Sequence, residues 1–301
     1  MTAATLDEAI ELQNAVDYGL TAGIHSLDPD EVADWLDRVQ AGNLYVNRGI
    51  TGAIVRRQPF GGWKRSSVGP GAKAGGPNML VTLGSWHPVP TPPTGELHLD
   101  GIDERVRAFV EGAQPGLDYD GFERVRAGVF SDGLAWEVEF GRSRDVSNLG
   151  VERNVFRYRP TDVTVRLADG GSLAELVRVL AAGVLTRATI RVSSSVPLPS
   201  GILPHISGPL PLLRIDDVQI ESDAAFETRI AARPPSRIRL IGGSAAGLSA
   251  VLGGAPDVAI WAGAVTDAGR LELLPFLREQ AVAITAHRFG TPDPRMSALE
   301  V

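Results

Sequence analysis

The chain has 301 residues, of which 44% are hydrophobic and 22% charged, and its formal net charge is −7 at pH 7. These values are typical of a globular protein with enough chain to bury a core, in one large domain or two modest ones. The negative charge argues against a general affinity for nucleic acid or for an anionic membrane. No apolar run is long enough to span a bilayer, and the N-terminus lacks the basic and apolar regions of a secretory signal. A cytoplasmic location is therefore expected.

The sequence contains no cysteine. Disulfides, thiolate metal ligands and cysteine nucleophiles are excluded together by this one observation. The five histidines are far apart in the sequence, and no two of them suggest a metal-binding pair. No metal site is therefore predicted.

Residues 5–88 are predicted to alternate between helices and strands, an order that favours a parallel sheet. Thr5 and Glu8 have the spacing of a capping box that starts a helix, and Asp28-Pro29 has the residues that start a second helix. The apolar spacing predicts buried positions at Ala9, Leu12 and Val16 in the first helix and at Val32, Trp35, Leu36 and Val39 in the second. The expected strands are Thr21–Ser26 and Leu44–Val46.

A glycine-rich segment at 47–78 follows and shows no regular periodicity. Long structureless loops are uncommon in compact domains and are usually functional. Met79–Leu83 is then expected to form a strand. Prolines at 88, 90, 92 and 93 predict a stiff, extended linker at 89–96, and with it a domain boundary.

The remaining residues, 97–301, are predicted to form a second α/β domain that begins with a helix near Val106. Ser172 and Glu175 cap another helix, which extends to about Ala182. The stretch 114–160 shows no clear periodicity. The expected strands are Val163–Leu167, Thr189–Ser193, Arg237–Ile241, Asp257–Trp261 and Ala281–Thr285, the last three in a βαβαβ pattern.

Several motifs between residues 18 and 78 stand in a distinctive order. They are Tyr18-Gly-Leu-Thr-Ala-Gly-Ile-His-Ser26, Ala41-Gly-Asn-Leu-Tyr-Val-Asn-Arg48, Thr51-Gly-Ala-Ile-Val55, Gln58-Pro-Phe-Gly-Gly-Trp-Lys64 and Lys73-Ala-Gly-Gly-Pro-Asn78. Over residues 5 to 88 their order and spacing resemble the C-terminal end of the aldehyde dehydrogenase superfamily. The segment Thr51–Val55 narrows the resemblance to the pyrroline-5-carboxylate dehydrogenases.

That narrower resemblance implies a substrate site. Thr51–Val55 resembles the loop by which these enzymes hold the carboxylate of L-glutamate γ-semialdehyde, which makes Gly52, Ala53 and Phe60 the candidate substrate-binding residues. Backbone N–H groups in a tight glycine turn bind a carboxylate well, and Phe60 could pack against the aliphatic part of the substrate. Without the resemblance, a glycine-rich surface loop that binds nothing is the favoured interpretation.

The resemblance also implies parts that lie upstream of residue 5. The family uses a cysteine nucleophile, a glutamate base and a Rossmann domain that binds NAD. Since this chain has no cysteine, no catalytic and no cofactor-binding residue is assigned to it. It is expected to be the C-terminal fragment of an NAD-dependent pyrroline-5-carboxylate dehydrogenase and to be inactive in isolation.

A second resemblance covers about 97–295. Glu152–Pro160 and the segment from Gly269 to Gly290 are similar to the C-terminal extension of bifunctional proline-utilisation enzymes, which looks like a degenerate copy of the aldehyde dehydrogenase fold. A Gly-Gly turn before Ser244 follows a predicted strand, as phosphate-binding turns do, but the dinucleotide fingerprint needs glycine in the place of Ser244. His287 and the serine run at 193–195 are more typical of structural residues.

The predicted fold is therefore α/β throughout. It comprises the C-terminal portion of an aldehyde dehydrogenase catalytic domain at 1–88, a proline-rich linker at 89–96 and a non-catalytic, Rossmann-like degenerate domain of aldehyde-dehydrogenase type at 97–301. The predicted partners are L-glutamate γ-semialdehyde, the upstream dehydrogenase region and, in a bifunctional parent, a proline dehydrogenase domain; a homo-oligomer is compatible with the resemblance. The alternatives are a non-enzymatic module that covers the channel of a separate dehydrogenase, and an independent nucleotide-binding protein.

Overall fold

The computed structural model describes residues 2–89, 95, 97–207 and 214–301. The fold is mixed α/β, as predicted. Its α-helices are α1 (Leu6–Asn14), α2 (Pro29–Arg38), α3 (Glu104–Ala113), α4 (Tyr119–Ala135), α5 (Leu173–Thr186), α6 (Leu203–Ser207), α7 (Asp223–Ala232), α8 (Ala245–Val251), α9 (Gly269–Glu272) and α10 (Pro294–Ser297). Across these ranges, no helix has both the length and the apolar character needed to cross a membrane.

The strands are between two and nine residues long. They are β1 (Tyr18–Gly19), β2 (Thr21–Ile24), β3 (Asn43–Val46), β4 (Trp63–Lys64), β5 (Arg144–Asp145), β6 (Glu152–Pro160), β7 (Val163–Leu167), β8 (Thr189–Ser194), β9 (Arg214–Ile220), β10 (Arg237–Ile241), β11 (Ala259–Trp261), β12 (Leu277–Thr285), β13 (His287–Arg288) and β14 (Thr291–Pro292). Residues 47–78 contain only the two-residue strand β4, which agrees with the predicted loop.

The chain divides into two compact units. Unit 1 comprises Met1–Leu83, Phe140–Arg159 and Arg278–Val301, and unit 2 comprises Gly84–Glu139 and Pro160–Leu277. This division differs from the predicted one, because two later segments join the first part of the chain. Residues 90–94 and 96 of the predicted linker lie outside the described residues.

The first two helices of unit 1 begin where their capping residues predict. The Thr5 side chain accepts a hydrogen bond from the Glu8 N–H (3.2 Å), and the Asp28 side chain accepts one from the Asp30 N–H (2.9 Å). Helix α2 buries its predicted face, which is Val32, Trp35 and Leu36 with Val39 at the C-cap.

The predicted apolar face of α1 is wrong. Leu12 and Val16 are 37% and 52% exposed, whereas Ile10 is 2% exposed and packs with Leu6 on the core. Helix α1 ends at Asn14, so Val16 lies beyond the helical periodicity that was used to assign it. The buried pair Leu6 and Ile10 has the i, i+4 spacing of a single helix face.

Unit 1 contains a five-stranded sheet with the order β2-β3-β12-β6-β5. Strands β2 and β12 both pair with β3 in parallel, and Leu44 of β3 lies opposite Ala22 on one side and Val282 on the other. All four residues of β3 are buried, as expected for the centre of a parallel sheet covered on both faces. The prediction that Ala281–Thr285 completes a βαβαβ pattern with the two preceding strands is therefore wrong.

Unit 2 contains a second five-stranded sheet, with the order β11-β10-β7-β8-β9. Every pairing in it is parallel, and the first strand in sequence, β7, lies at the centre. Numbered by sequence within this sheet, the order is 3-2-1-4-5, which is that of the first five strands of a Rossmann sheet. Helix α5 begins at the predicted cap Ser172 and is buried from Leu176 to its end at Thr186.

Two stretches of the chain differ from expectation. Met79–Leu83 is a 3-10 helix and not the predicted strand. The Val81 N–H donates to the Asn78 carbonyl at 3.1 Å, and Leu80 is 76% exposed, so a local turn replaces pairing with a sheet. The unassigned stretch 114–160 contains the long helix α4 and strand β6.

Replacing Val282 with aspartate tests the position of β12. Val282 is fully buried in register with Leu44, so an unpaired charge there should lower the free energy of unfolding of unit 1 by about 3–5 kcal/mol. Hydrogen exchange should show lost protection in β2 and β3 and retained protection in β7 and β8. Thr285→Asp, at the half-buried end of the same strand, is the control and should cost less. Loss of protection in β10 and β11 with an unchanged β3 would contradict this pairing.

Candidate functional site

The tip of the glycine-rich loop lies at Gly52 and Ala53, two of the predicted substrate-binding residues. Both are exposed. Gly52 has φ +82°, in the left-handed region that side chains rarely adopt, and no atom lies within 4 Å of an added Cβ. Within the described ranges, neither the Gly52 N–H nor the Ala53 N–H donates to an acceptor of the protein. The tip therefore presents two consecutive N–H groups that are free to bind a ligand.

The base of the loop is closed by Gln58. Its side chain is 3% exposed, and its Oε1 accepts a hydrogen bond from the Ile54 N–H at 2.7 Å. The Ile54 carbonyl in turn accepts from the N–H groups of Arg57 and Gln58, each at 3.0 Å. These three bonds fix the turn that follows the tip.

Gln58 also connects the loop base to strand β6. Its Nε2 donates to Asn154 Oδ1 and, at 3.4 Å, to Glu152 Oε1. Glu152 Oε1 accepts a second hydrogen bond from Arg48 at 2.8 Å, and Arg57 lies 3.7 Å from Glu152 Oε2. Burial raises the pKa of Glu152, but hydrogen bonds from Arg48 and Asn154 and the nearby arginine charges outweigh it, so the pKa is lowered. The loop base is therefore held by an ionised carboxylate.

The third predicted residue, Phe60, lies after the loop base. The Phe60 N–H donates to the Ala74 carbonyl at 3.0 Å, and the Ala74 N–H donates to the Phe60 carbonyl at 2.8 Å. Its side chain is 37% exposed, so part of the ring is accessible to a ligand. Gly52, Ala53 and Phe60 thus belong to one loop and lie on the two sides of the turn that Gln58 closes.

The segment Pro59–Trp63 packs tightly against strand β3. Asn43 Nδ2 donates to the Pro59 carbonyl at 3.1 Å, and Asn43 Oδ1 accepts from the Gly61 N–H at 3.2 Å. A Cβ on Gly42 would lie 2.0 Å from the Gly61 carbonyl oxygen, so only glycine fits at this position. The side-chain amide of Asn43 therefore forms hydrogen bonds with the loop backbone both as a donor and as an acceptor.

Glu279 on β12 holds the second half of the glycine-rich segment. Its Oε2 accepts from the Lys73 backbone N–H at 2.6 Å and its Oε1 accepts from Asn78 Nδ2 at 2.8 Å. The Glu279 carbonyl accepts from Trp63 Nε1 at 2.8 Å. Sequence analysis missed Gln58, Asn43 and Glu279 because their signal is burial of a polar side chain, which depends on residues far along the chain.

The other candidate residues have structural partners. His287 Nδ1 accepts from the Gly290 N–H at 3.0 Å and closes the turn between β13 and β14. Ser193 donates to Glu221 and accepts from Arg166, both at 2.7 Å. Ser244 Oγ accepts from the Gly247 N–H at 3.1 Å and caps α8. No group of three or more His, Cys, Asp or Glu residues in the described ranges could hold a metal ion.

Comparison with known proteins first relates part of the chain to a broad enzyme family. Residues 1–83 match the family model described as the aldehyde dehydrogenase family. The 1-pyrroline-5-carboxylate dehydrogenase of Geobacillus sp. (strain WCH70) is 44% identical over 79 residues, which are 26% of this chain and 15% of that protein. The bifunctional protein PutA of Rhizobium meliloti is 45% identical over 97 residues, which are 32% of this chain and 8% of that protein.

A solved structure extends the likeness over nearly the whole chain. The structure of Proline Utilization A (PutA) from Corynebacterium freiburgense matches with a TM-score of 0.71 and 38% identity, over 97% of this chain and 25% of that chain. The predicted resemblance to pyrroline-5-carboxylate dehydrogenases and proline-utilisation enzymes is therefore confirmed. The chain spans between 8% and 15% of these two curated relatives and a quarter of the solved one.

Acidification should release the loop base, because Glu152 is stabilised in its ionised form. Since its pKa in the folded protein lies below the unfolded value of 4.5, its contribution to stability is fully present above that value and is lost as pH falls through the lowered pKa. Protection of the Ile54 and Gln58 amides from exchange should therefore fall as the pH drops below 4.5. Glu152→Gln should remove this pH dependence. An unchanged pH profile in that variant would show that Glu152 does not hold the loop.

Proposed function

We propose that this chain is the C-terminal portion of an NAD-dependent L-glutamate γ-semialdehyde dehydrogenase of proline catabolism, and that its loop tip holds the substrate carboxylate. The observation that carries the proposal is the pair of N–H groups at Gly52 and Ala53, which have no acceptor among the described residues. They lie in residues 1–83, which match the aldehyde dehydrogenase family model, and the chain is 44% identical to a pyrroline-5-carboxylate dehydrogenase over 79 residues. Successive backbone N–H groups can form a concave anion-binding site where one of the residues has a left-handed conformation, as Gly52 does.

Each candidate residue has a distinct role in this proposal. The N–H groups of Gly52 and Ala53 donate to the carboxylate of the substrate, and the closed turn at Gln58 keeps them pointing in one direction. The accessible part of the Phe60 ring packs against the aliphatic carbons between the carboxylate and the aldehyde. NAD supplies the hydride acceptor, and the nucleophile and the NAD site belong to the upstream part of the parent enzyme. No residue of this chain is proposed to bind NAD, because Ser244 serves as the cap of α8.

The isolated chain should not oxidise glutamate semialdehyde. Formation of a thiohemiacetal needs a thiolate nucleophile, and this chain contains no cysteine. Purified protein would be incubated with NAD and pyrroline-5-carboxylate, with a complete 1-pyrroline-5-carboxylate dehydrogenase as the positive control. NADH production above that of a heat-denatured sample would contradict the proposed division of roles.

Gly52→Val tests the carboxylate anchor in a chimeric dehydrogenase that carries this chain as its C-terminal portion. A valine at φ +82° is strained and forces the backbone away from its turn. Charge-assisted hydrogen bonds contribute on the order of 1.5–3 kcal/mol, so kcat/KM for glutamate semialdehyde should fall roughly ten- to a hundredfold. An aldehyde of similar length without a carboxylate should be much less affected. Phe60→Ala should weaken the use of both substrates.

Gly49→Val is the matched control for that experiment. Gly49 lies in the same loop with ordinary φ and no atom within 4 Å of an added Cβ, so valine should be tolerated there for both substrates. If Gly52→Val lowers kcat/KM equally for both aldehydes while thermal stability is unchanged, the loop does not anchor a carboxylate.

A further inference from the structure

Lys73 is a buried lysine in the middle of the glycine-rich segment. Its side chain is 3% exposed. The Nζ atom donates a hydrogen bond to Asn43 Oδ1 at 2.9 Å and another to the carbonyl of Gly61. One ammonium group therefore connects strand β3, the segment Pro59–Trp63 and the segment that follows it.

The packing leaves little freedom around this ammonium group. A Cβ on Gly42 would lie 2.9 Å from Lys73 Nζ as well as 2.0 Å from the Gly61 carbonyl oxygen. The backbone of the same lysine is fixed independently, because its N–H donates to Glu279 at 2.6 Å. The next residue, Ala74, exchanges both backbone hydrogen bonds with Phe60. Lys73 and Ala74 thus hold Phe60 and Gly61 through three hydrogen bonds.

Burial of a lysine is costly for the folded protein. Loss of hydration lowers the pKa of Lys73 to about 7, although the negative charge of Glu279 opposes the shift. A leucine or methionine of similar volume would avoid this cost but would leave the Gly61 carbonyl without its partner. A lysine retains two N–H donors even when it is neutral, so it serves both acceptors in either protonation state.

We propose that Lys73 is a positioning residue that fixes the segment Pro59–Trp63, and with it Phe60, against strand β3. The proposal deepens the proposed function and rests on it only for the contact between Phe60 and the substrate. The order of the segment itself follows from the chain's own contacts and is measurable without substrate.

The experiment follows the protonation of the lysine side chains in the complete 301-residue chain, whose only lysines are Lys64 and Lys73. With 13C-labelled lysine, the two Cε signals would be followed by NMR from about pH 5 to pH 11 and assigned with Lys64→Met and Lys73→Met. The Lys73 signal should titrate near pH 7. The Gly61 amide and the Asn43 side-chain amide should shift with the same midpoint, because they share its hydrogen-bond cluster.

Hydrogen exchange of the two variants gives the second readout. Lys73→Met should accelerate exchange of the Phe60, Gly61 and Ala74 amides by at least about tenfold, the loss expected for a hydrogen bond to a charged group. Amides of β7 and β8 should be unchanged. Lys64→Met is the control: Lys64 Nζ donates to the carbonyls of Asn14 and Val16 after helix α1, so its loss should leave the amides at 60, 61 and 74 unaffected.

The protonation of Lys73 adds a thermodynamic check with a defined sign. Between pH 7 and 10.5, the ordinary pKa of a lysine, the unfolded chain binds one more proton at this site than the folded chain. The unfolding equilibrium constant of the wild type should therefore decrease with rising pH in this range, by up to about tenfold per pH unit, relative to Lys73→Met.

Two outcomes would overturn the proposal. One is a Lys73 signal that titrates near 10.5 while the Gly61 and Asn43 amides stay constant. The other is a Lys73→Met variant with unchanged exchange at Phe60, Gly61 and Ala74. If that variant does not fold, the wild-type titration alone decides. If Gly52→Val in the chimeric dehydrogenase lowered kcat/KM equally for aldehydes with and without a carboxylate, the proposed function would be rejected. The NMR and hydrogen-exchange results for Lys73 would be unaffected by that outcome.

Discussion

The parallel pairing of β3 with β12 is the constraint on which the candidate site depends. It pairs residues 43–46 with residues 281–284, so two segments that are far apart in the sequence become neighbouring strands in the sheet of unit 1. In this register the fully buried side chains of Leu44 and Val282 lie opposite each other, so a shift of the pairing would disrupt their packing in the core. The same register places Glu279, two residues before the paired segment, beside the Lys73 N–H and the Asn78 side chain. The second half of the loop therefore takes its position from the last strand of the sheet.

The first half of the loop is held in a similar way by β6. Gln58 is buried against Asn154 and Glu152, and these polar contacts replace the apolar packing that usually fixes a loop. Buried polar groups favour one arrangement strongly, since any other arrangement leaves a donor or an acceptor without a partner. Two neighbouring strands, β12 and β6, thus supply the two carboxylates that fix the loop. Both strands come from segments that the sequence pattern assigned to a different domain.

The elements that were predictable from sequence are those whose signals are local. Thr5, Asp28 and Ser172 all cap the helices that their side chains predict, because a capping bond joins residues only two or three positions apart. Strand β12 was recognised as a strand, but its apolar residues would suit either parallel sheet. Its partner is decided by packing between distant segments, which no single stretch of sequence contains. For the same reason Gly52, Ala53 and Phe60 were predicted only from a resemblance, and the contacts of Gln58 and Glu279 were not predicted at all.

The contrast between a fixed base and an open tip suits the recognition of a carboxylate. In the proposed site the donors at Gly52 and Ala53 are backbone N–H groups, so their direction would depend on the backbone conformation and not on a flexible side chain. Hydrogen bonds to an anion strengthen when water is removed from around them. Three apolar side chains near the tip are exposed: Ile50 is 45%, Ile54 43% and Val55 84% exposed. Polar side chains in these positions would keep water at the tip and compete for the same N–H groups. In the proposed function, exposed apolar side chains near two N–H donors would suit a ligand that combines a carboxylate with a short aliphatic chain.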